Sequence, residues 1–271
     1  MDKVLGLIAG CGKLPGILLE EAKKAGYRVA VCAVEGEADP KIGRLADVVE
    51  WVRVGQLGRL AMFFKRESVS QTVMGGKIRK ANLFRGQVRP DLEMIKMLAK
   101  ARNRSDDSLL GGVADYLKEK GMPLLDSTTF LDEDTLPPEG VLTKRKPSRK
   151  EEQDIEFGWR LAKEMGRLDV GQTVVVKDQA VLSVEAIEGT DEAILRGGQL
   201  GQGGVTVVKA AKPNQDFRFD VPTIGLGTLE AMIHAKALVL VTEARKTIFL
   251  DREELVQQAN TNRISIVSKE S

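Results

Sequence analysis

The residues best suited to chemistry lie between Lys209 and Asp220, where charged and apolar side chains alternate. Lys209 and Lys212 follow a β-branched run, and Asp216, Arg218 and Asp220 then occupy every second position. In an extended segment this spacing places the three charges on one face. Carboxylates bind hard cations, and Lys and Arg neutralise phosphate oxygens. The segment therefore predicts a site for a metal ion and a phosphate-bearing ligand, with a solvated edge strand as the alternative.

Glycines enclose these charged residues on both sides. Residues 205–208 are β-branched and predict a buried strand that starts from a glycine pair. Gly225 and Gly227 follow the charged residues, and Thr228 is placed to cap a helix that begins at Leu229. Glycine turns of this kind are compatible with the close approach of a phosphate group.

Length and charge restrict the classes of function. The chain has 271 residues, which fits two domains, and its 41 basic side chains nearly balance 39 acidic ones. The net charge of +2 and the lack of basic tracts interleaved with aromatic residues argue against nucleic acid as a partner. Cys11 and Cys32 are interpreted as free thiols in a reducing cytoplasm. No apolar run approaches the roughly 18 residues of a membrane span, so we expect any membrane contact to be peripheral.

A single histidine, His234, excludes several kinds of catalytic site. Zinc sites built on several histidines, and catalytic constellations that need more than one histidine, cannot be assembled. His234 lies near the end of an apolar helical pattern, which predicts a helix-terminal or core position rather than a catalytic base.

The first strand leads into a glycine loop and a helix. Residues 4–8 predict the strand, Gly10 and Gly12 lie in the loop, and Pro15 fits the first turn of the helix. The N-terminus of a helix in this position is suited to an anion. Glu35 follows the second strand, where a dinucleotide-binding unit has its ribose-binding acid, but Pro15 replaces the third fingerprint glycine. The unit is therefore Rossmann-like without the NAD fingerprint.

Strands and helices continue to alternate up to about residue 130. The pattern predicts strands at 28–34, 47–52, 71–74 and 123–125, and helices at 14–24, 57–67, 90–101 and 106–120. Gly75, Gly76 and Lys77 form a second glycine pair at the end of a strand. Residues 1–130 are predicted to form an open, mostly parallel sheet with helices on both faces.

Residues 131–150 contain prolines and basic side chains and are predicted to be a linker. Residues 151–271 predict a second α/β domain, with a helix at 151–167 and a hairpin whose turn is Asp178-Gln179. Glu188, Thr190 and Asp191 form a second polar cluster, in which Thr190 is a candidate helix cap. Glycine loops, basic side chains and carboxylates are the parts that phosphoanhydride or phosphodiester hydrolysis needs.

Several motifs together resemble the LpxI family of UDP-2,3-diacylglucosamine pyrophosphatases. They are GLIAGCGKLP at 6–15, GGKIRK at 75–80, SDDSLL at 105–110, AIEGTDEAI at 186–194 and KPNQDFRFDVPTIGLGT at 212–228. The resemblance covers both halves of the chain in the right order, and the last two motifs are the most specific. Cys11 departs from the small residue expected in the first loop.

The resemblance implies a hydrolase that uses Mg²⁺ or Mn²⁺ and splits UDP-2,3-diacylglucosamine into UMP and 2,3-diacylglucosamine 1-phosphate in lipid A synthesis. It also implies two domains around a cleft that holds the lipid-linked sugar nucleotide, a homodimer, and work at the inner face of the inner membrane. Candidate side chains for the acyl chains, each with plain core as the alternative, are Phe63, Phe64, Leu83, Phe84, Met94 and Met97.

The same resemblance assigns roles to residues of the matching motifs. Asp220, or else Asp216, is expected to bind the metal or orient the attacking water, and Asp220 is favoured. Lys212 and Arg218 are expected to neutralise the diphosphate. The remaining candidates for substrate binding are Gly10, Gly12, Lys77, Glu188, Thr190, Asp191, Gln215, Thr223 and Gly225.

Two other functions remain compatible with the residues. A nucleotide-dependent oxidoreductase would use the Gly10 loop and Glu35, and it predicts NAD binding without a metal. A non-catalytic sensor of nucleotides or sugar nucleotides would keep the glycine loops but would tolerate Asp220→Ala in its functional assay. Turnover of a substrate separates both alternatives from the hydrolase.

Overall fold

The structure is a computed structural model that describes residues 3–78, 90–100 and 106–271. Its contacts divide the chain into two compact units. The first unit contains residues 1–131 together with 216–220, and the second contains residues 132–215 and 221–271. The α/β class with two domains is confirmed, but the first unit also includes a short segment from late in the sequence.

The first unit is built on a parallel sheet of four strands in the order β3-β2-β1-β4. Its strands are β1 (Val4–Ala9), β2 (Arg28–Val34), β3 (Val48–Val52) and β4 (Gln71–Gly75). Its helices among the described residues are α1 (Leu14–Lys24), α2 (Ile42–Leu45), α3 (Leu57–Arg66), α4 (Leu92–Lys100) and α5 (Asp106–Glu119). The order reverses direction between β1 and β4, and ligands of open parallel sheets bind beside such a reversal.

Alternating residues of β1 explain why helices cover both faces of this sheet. Leu5 and Leu7 pack with Leu18 of α1, whereas Ile8 packs with Phe64 of α3 and Leu117 of α5. Successive side chains of a strand point to opposite faces, so an apolar strand without alternation must be covered on both sides. The prediction of helices on both faces is therefore confirmed.

Two predictions about the first unit need correction. The predicted strand at 123–125 is reduced to an isolated parallel bridge between Thr72 and Leu124, because only a few backbone groups reach β4 there. Phe63 and Phe64 are buried in the core of the unit, so neither is exposed for an acyl chain. The candidates Leu83 and Phe84 lie outside the described residues, as does part of the GGKIRK and SDDSLL motifs.

The second unit is built on a mixed sheet of six strands in the order β5-β12-β10-β8-β6-β7. Its strands are β5 (Gly140–Val141), β6 (Thr173–Lys177), β7 (Ala180–Val184), β8 (Thr206–Lys209), β9 (Thr223–Ile224), β10 (Val239–Glu243), β11 (Ile248–Phe249) and β12 (Ser265–Lys269). Its helices are α6 (Arg149–Arg167), α7 (Thr190–Gly201), α8 (Leu226–His234) and α9 (Arg252–Thr261). A small parallel pair joins β9 to β11.

Apolar side chains again divide between the two faces of the six-stranded sheet. Trp159 of α6 packs on one face with Val208, and helices α7, α8 and α9 cover the other face, which includes Val207. Because side chains alternate along β8, Lys209 lies on the same face as Val207, which is the face that helices α7, α8 and α9 cover.

Most of the segment predicted as a linker at 131–150 is folded into the second unit. Strand β5 pairs with β12, and Thr143 is buried. Arg145 donates to Ser265 Oγ at 2.7 Å and pairs with Glu151 at 2.5 Å. The prolines and basic residues therefore do not form a solvated connector, since backbone pairing and a partly buried ion pair fix this segment.

In the part of the chain that the structure describes, no helix meets the length and hydropathy needed to span a bilayer.

Candidate functional site

Two glycine loops of the first unit pair with each other through their backbones. Cys11 N–H donates to the Lys77 carbonyl at 2.8 Å, and Lys77 N–H donates to the Cys11 carbonyl at 3.2 Å. A Cβ atom at Gly10 would lie 2.7 Å from the Lys77 carbonyl oxygen, which is closer than real contacts allow. The loops after β1 and β4 therefore need Gly10 and Gly76 for mutual packing, and the exposed Lys77 lies at their junction.

The loop before α1 offers a limited set of amides to an anion. Gly12 has φ of +92°, a left-handed conformation that favours glycine, and no described atom lies within 4 Å of the point that a Cβ would occupy there. Pro15 in the first turn of α1 has no N–H to donate. Glu35, the acid that a dinucleotide would use, pairs with Arg53 at 2.9 Å. Phosphate binding by this loop stays a prediction.

The segment between Asp216 and Asp220 is a turn and not the extended strand that the alternation predicted. Phe219 and Asp220 both donate their N–H groups to the Asp216 carbonyl, at 3.3 and 3.0 Å. These bonds reverse the chain, so the charged side chains do not share one face of a strand. Period-two patterns indicate a strand only when the backbone is extended.

Asp216 and Arg218 form a closed ion pair within this turn. Arg218 donates from Nε and Nη2 to the two carboxylate oxygens of Asp216, at 2.9 and 2.6 Å. The hydrogen bonds from Arg218 hold the pKa of the Asp216 carboxyl below its ordinary value. The same bonds raise the pKa of Arg218, and the charges of Asp115 and Asp126 add to this rise. Asp216 is thus occupied as a partner for Arg218.

Ser127 fixes this turn to the sheet of the first unit. Its N–H donates to the Phe217 carbonyl at 2.8 Å, and its Oγ lies 2.8 Å from the Arg218 carbonyl oxygen. The same Oγ lies 2.6 Å from the carbonyl oxygen of Met74 in β4. Ser127 was not predicted as a functional residue, because a serine in a loop carries no local signal for a partner 91 positions away in the chain.

Lys209 is a buried cation of the second unit. It is 6% exposed, and its Nζ donates to Thr190 Oγ1 at 2.7 Å. Thr190 Oγ1 in turn donates to Glu185 at 2.9 Å. Burial of a charged lysine is costly unless polar partners surround it, so this chain of contacts marks a specialised position. Lys209 was expected only at the end of its strand, and the diphosphate was assigned to Lys212 and Arg218.

Polar side chains flank Lys209 in the sheet. Thr173 of β6 and Thr242 of β10 are its direct neighbours in register. Both threonines are fully buried, and their hydroxyls have no hydrogen-bond partner within the described part of the chain. Lys209 therefore lies in a polar row at the carboxyl end of β8, where sheets of this class gather ligands.

The N-termini of α7 and α8 meet at Asp191. Gly189 is the N-cap of α7, so Thr190 is its first residue and not the predicted cap. Helix α8 begins at Leu226 with Gly225 as its N-cap, and Thr228 therefore lies inside the helix instead of capping it. Thr228 donates to the Asp191 carboxylate at 3.1 Å. This bond joins the first turn of α7 to the first turn of α8. The substrate-binding roles of Thr190, Asp191 and Gly225 stay predictions.

Glu188 and Lys212 each form a surface ion pair. Glu188 pairs with Arg196 of α7, and its pKa is lowered by a hydrogen bond from its own backbone amide and by the bond from Arg196. Lys212 pairs with the exposed Asp169 at 2.6 Å. The partners of both residues are accessible to water, so little energy is needed to exchange them for a ligand.

The last two predicted site residues make local contacts. Gln215 Oε1 accepts the N–H of Lys212 at 2.9 Å, which closes a turn before the charged segment. Thr223 Oγ1 donates to the Val221 carbonyl at 3.0 Å, at the start of β9. Both side chains therefore shape the backbone on either side of residues 216–220.

Comparison with known sequences decides the family. Residues 4–133 match the LpxI N-terminal domain, and residues 138–267 match the LpxI C-terminal domain. The chain belongs to the LpxI family. It is 33% identical over 270 residues to the UDP-2,3-diacylglucosamine pyrophosphatase LpxI of Caulobacter vibrioides, with 94% of each chain covered.

Solved structures align only weakly with this LpxI-family chain. Phosphoribosylglycinamide synthetase from Anaerococcus prevotii aligns with 72% of the chain at 10% identity and a TM-score of 0.29. N5-carboxyaminoimidazole ribonucleotide synthetase from Thermotoga maritima aligns with 68% of it at 17% identity and a TM-score of 0.25. The chain spans 34% and 41% of the lengths of these two proteins.

The donor groups for a metal ion are sparse in the described part of the chain. Among those residues, no group of three or more His, Cys, Asp or Glu side chains is arranged to hold a metal ion. Asp216, one of the two predicted ligands, has both oxygens bonded to Arg218. The described residues therefore lack a complete protein cage for a metal ion, and metal binding by Asp220 stays a prediction.

Proposed function

We propose that this chain hydrolyses the diphosphate of UDP-2,3-diacylglucosamine to UMP and 2,3-diacylglucosamine 1-phosphate during lipid A synthesis. The observation that carries the proposal is the match to the LpxI family in both halves, together with the identity to a pyrophosphatase across 94% of each chain. Water adds across the phosphoanhydride: one phosphorus gains the water oxygen, the bond to the bridging oxygen breaks, and the leaving phosphate keeps that oxygen.

In this proposal Asp220 orients the attacking water or binds a metal ion. Asp220 follows a turn whose backbone hydrogen bonds fix its position relative to Asp216. Asp216 holds the Arg218 guanidinium, and a guanidinium fixed in this way is suited to phosphate oxygens. We assign Arg218 and Lys212 to the diphosphate. We add Lys209 because it is a buried cation that contacts Thr190, the first residue of α7, and lies in a polar row of the sheet.

Mg²⁺ or Mn²⁺ fits this proposal as an ion shared between the protein and the substrate. Asp220 would hold the ion, since Mg²⁺ in proteins is often bound by only one or two carboxylates. A bound ion would neutralise the charge that develops on the phosphate oxygens. Arg218 would supply positive charge to phosphate oxygens. If Asp220 orients the attacking water instead of holding the ion, its carboxylate would accept the proton of that water.

The chemistry of the substrate suggests where the protein works. Two acyl chains keep UDP-2,3-diacylglucosamine in a bilayer, because burial of each methylene contributes about 0.8 kcal/mol. We propose peripheral contact with the cytoplasmic face of the inner membrane, and a homodimer as the assembly.

A direct assay tests this function. Wild-type protein should release UMP from UDP-2,3-diacylglucosamine with Mg²⁺ or Mn²⁺, and a chelator should stop the release. Asp220→Asn should reduce kcat by about 100-fold or more, because it removes the proposed proton acceptor or metal ligand while the shape is kept.

Asp134→Asn provides the matched control for this assay. Asp134 is an exposed aspartate that pairs with Arg252 at 2.8 Å, so its replacement removes an equivalent charge at a distant position of the sequence. Its activity should stay within about twofold of wild type, since exposed ion pairs contribute little. If wild-type protein releases no UMP with either metal, the proposed function is wrong.

A further inference from the structure

Ser127 is a buried residue of the first unit that contacts the turn between Asp216 and Asp220. It is 2% exposed and follows the single bridge between Leu124 and strand β4. The turn comes from a distant part of the sequence, yet its five residues belong to the same unit as Ser127.

The contacts of Ser127 fall on two peptide groups between the aspartates. Its N–H donates to the Phe217 carbonyl at 2.8 Å, and its Oγ reaches the Arg218 carbonyl oxygen at 2.8 Å. The Oγ also lies 2.6 Å from the Met74 carbonyl oxygen. A serine hydroxyl has one proton, so the two carbonyls share one donor. Ser127 thereby connects the turn to the end of β4.

This arrangement fixes the backbone that sets the direction of both carboxylates. Within the turn, Asp220 N–H donates to the Asp216 carbonyl at 3.0 Å, and the bond from Phe219 N–H to the same carbonyl is longer, at 3.3 Å. Local bonds of this kind offset only part of the cost of ordering five residues, which is about 1–2 kcal/mol for each. The two bonds from Ser127 supply external restraint at the centre of the turn.

We propose that Ser127 is a positioning residue that holds the catalytic turn in its active geometry. This inference rests on the proposed function, in which Asp220 acts on the substrate. A displacement of a reacting group by about 1 Å can cost a factor of about 100 in rate, so loss of the restraint should act on kcat. Ser127 itself does not touch the substrate in this proposal.

A matched control separates positioning from ordinary core stability. Thr72 is fully buried in β4 of the same unit, and its hydroxyl donates to the carbonyls of Met122 and Pro123, at 3.1 and 3.2 Å. Ser127→Ala and Thr72→Val each remove one buried hydroxyl that serves two carbonyls. Only Ser127→Ala removes a contact with the turn.

The test measures hydrogen exchange and steady-state kinetics on the full chain. In Ser127→Ala, amide exchange in peptides that cover residues 216–221 should become at least about tenfold faster, and kcat for UMP release should fall at least about tenfold with KM within about twofold. Thr72→Val should keep both values near those of the wild type, even if its melting temperature falls by as much as that of Ser127→Ala. If Ser127→Ala folds poorly, Ser127→Cys, which keeps a weak donor of similar size, should show the same changes to a smaller degree.

Each outcome decides the proposal. The proposal is wrong if Ser127→Ala has the same amide exchange and the same kcat as the wild type. It is also wrong if Ser127→Ala and Thr72→Val lose kcat equally, since equal losses would reflect stability alone. A wild-type protein without UMP release refutes the proposed function instead, and faster exchange confined to 216–221 then still identifies Ser127 as the restraint on the turn.

Discussion

At the scale of single residues, close backbone packing explains the presence of glycine at two positions of the loops after β1 and β4. The loop after β1 resembles a phosphate-binding loop in sequence, but Gly10 lies against the Lys77 carbonyl and Gly76 against Cys11. Gly12 is different, because it has a φ of +92° and no described atom lies within 4 Å of the point that a Cβ would occupy there. Any ligand role of this loop is therefore better sought at Gly12 than at Gly10.

Replacement of Gly10 by alanine should lower the free energy of unfolding by about 1–3 kcal/mol, because the new Cβ forces the two loops apart. Gly16 is the matched position: it lies in α1, and a Cβ added there meets no described atom within 4 Å. Gly16→Ala should raise the free energy of unfolding by up to about 1 kcal/mol, since alanine favours a helix. Urea denaturation measures both. Equal effects of the two substitutions would contradict the packing role of Gly10.

At the scale of elements, the β6-β7 hairpin shows how a turn is held without glycine. Asp178 and Gln179 both have left-handed backbones, with φ of +49° and +56°. The carboxylate of the buried Asp154 accepts their N–H groups at 3.1 and 2.6 Å. Two left-handed residues match the twist of a two-residue hairpin, but they cost energy in residues other than glycine or asparagine.

The double substitution Asp178→Asn with Gln179→Gly should therefore raise the free energy of unfolding by about 1 kcal/mol. Asp154→Ala should lower it by about 1–3 kcal/mol, because two amides of the turn lose their acceptor. Chemical denaturation measures both changes. An equal gain from Gln179→Ala would show that backbone strain at this turn is not the cause.

Local signals explain which elements could be predicted from the sequence. The hairpin, the parallel strands of the first unit and most helices follow from period, turn residues and prolines, all of which act within a few positions. The turn at Asp216 was wrongly predicted as a strand because alternation of charged and apolar residues fits both conformations. Ser127 was not predicted at all, and Lys209 was noted without a role, since their importance depends on contacts that only the folded chain creates.

At the scale of the whole molecule, a buried carboxylate couples distant parts of the second unit. Glu243 at the end of β10 accepts from Lys163 of α6 at 2.6 Å, from Lys246 at 2.7 Å and from the N–H of Ala211 at 2.9 Å. The hydroxyl of Ser271 also donates to the Glu243 carboxylate. Burial alone would raise the pKa of Glu243, but hydrogen bonds from the two lysines and from Ser271 outweigh it and lower the pKa. Ala211 directly precedes Lys212, so this network also fixes the backbone at the start of residues 212–220.

The lowered pKa of Glu243 sets the sign of a pH dependence. A carboxyl whose pKa is lower in the folded state stabilises the protein fully above its unfolded pKa of about 4.3, and this contribution is lost as the pH falls through the lowered value. Glu243→Gln should therefore lower the free energy of unfolding at pH 7 by about 2 kcal/mol and flatten its fall below about pH 5. Glu164→Gln breaks an exposed pair with Arg167. It should change the free energy of unfolding by less than about 0.5 kcal/mol, both at pH 7 and below about pH 5. Denaturation curves between pH 3 and pH 7 measure this difference, and an unchanged slope in Glu243→Gln would show that the network does not control acid stability.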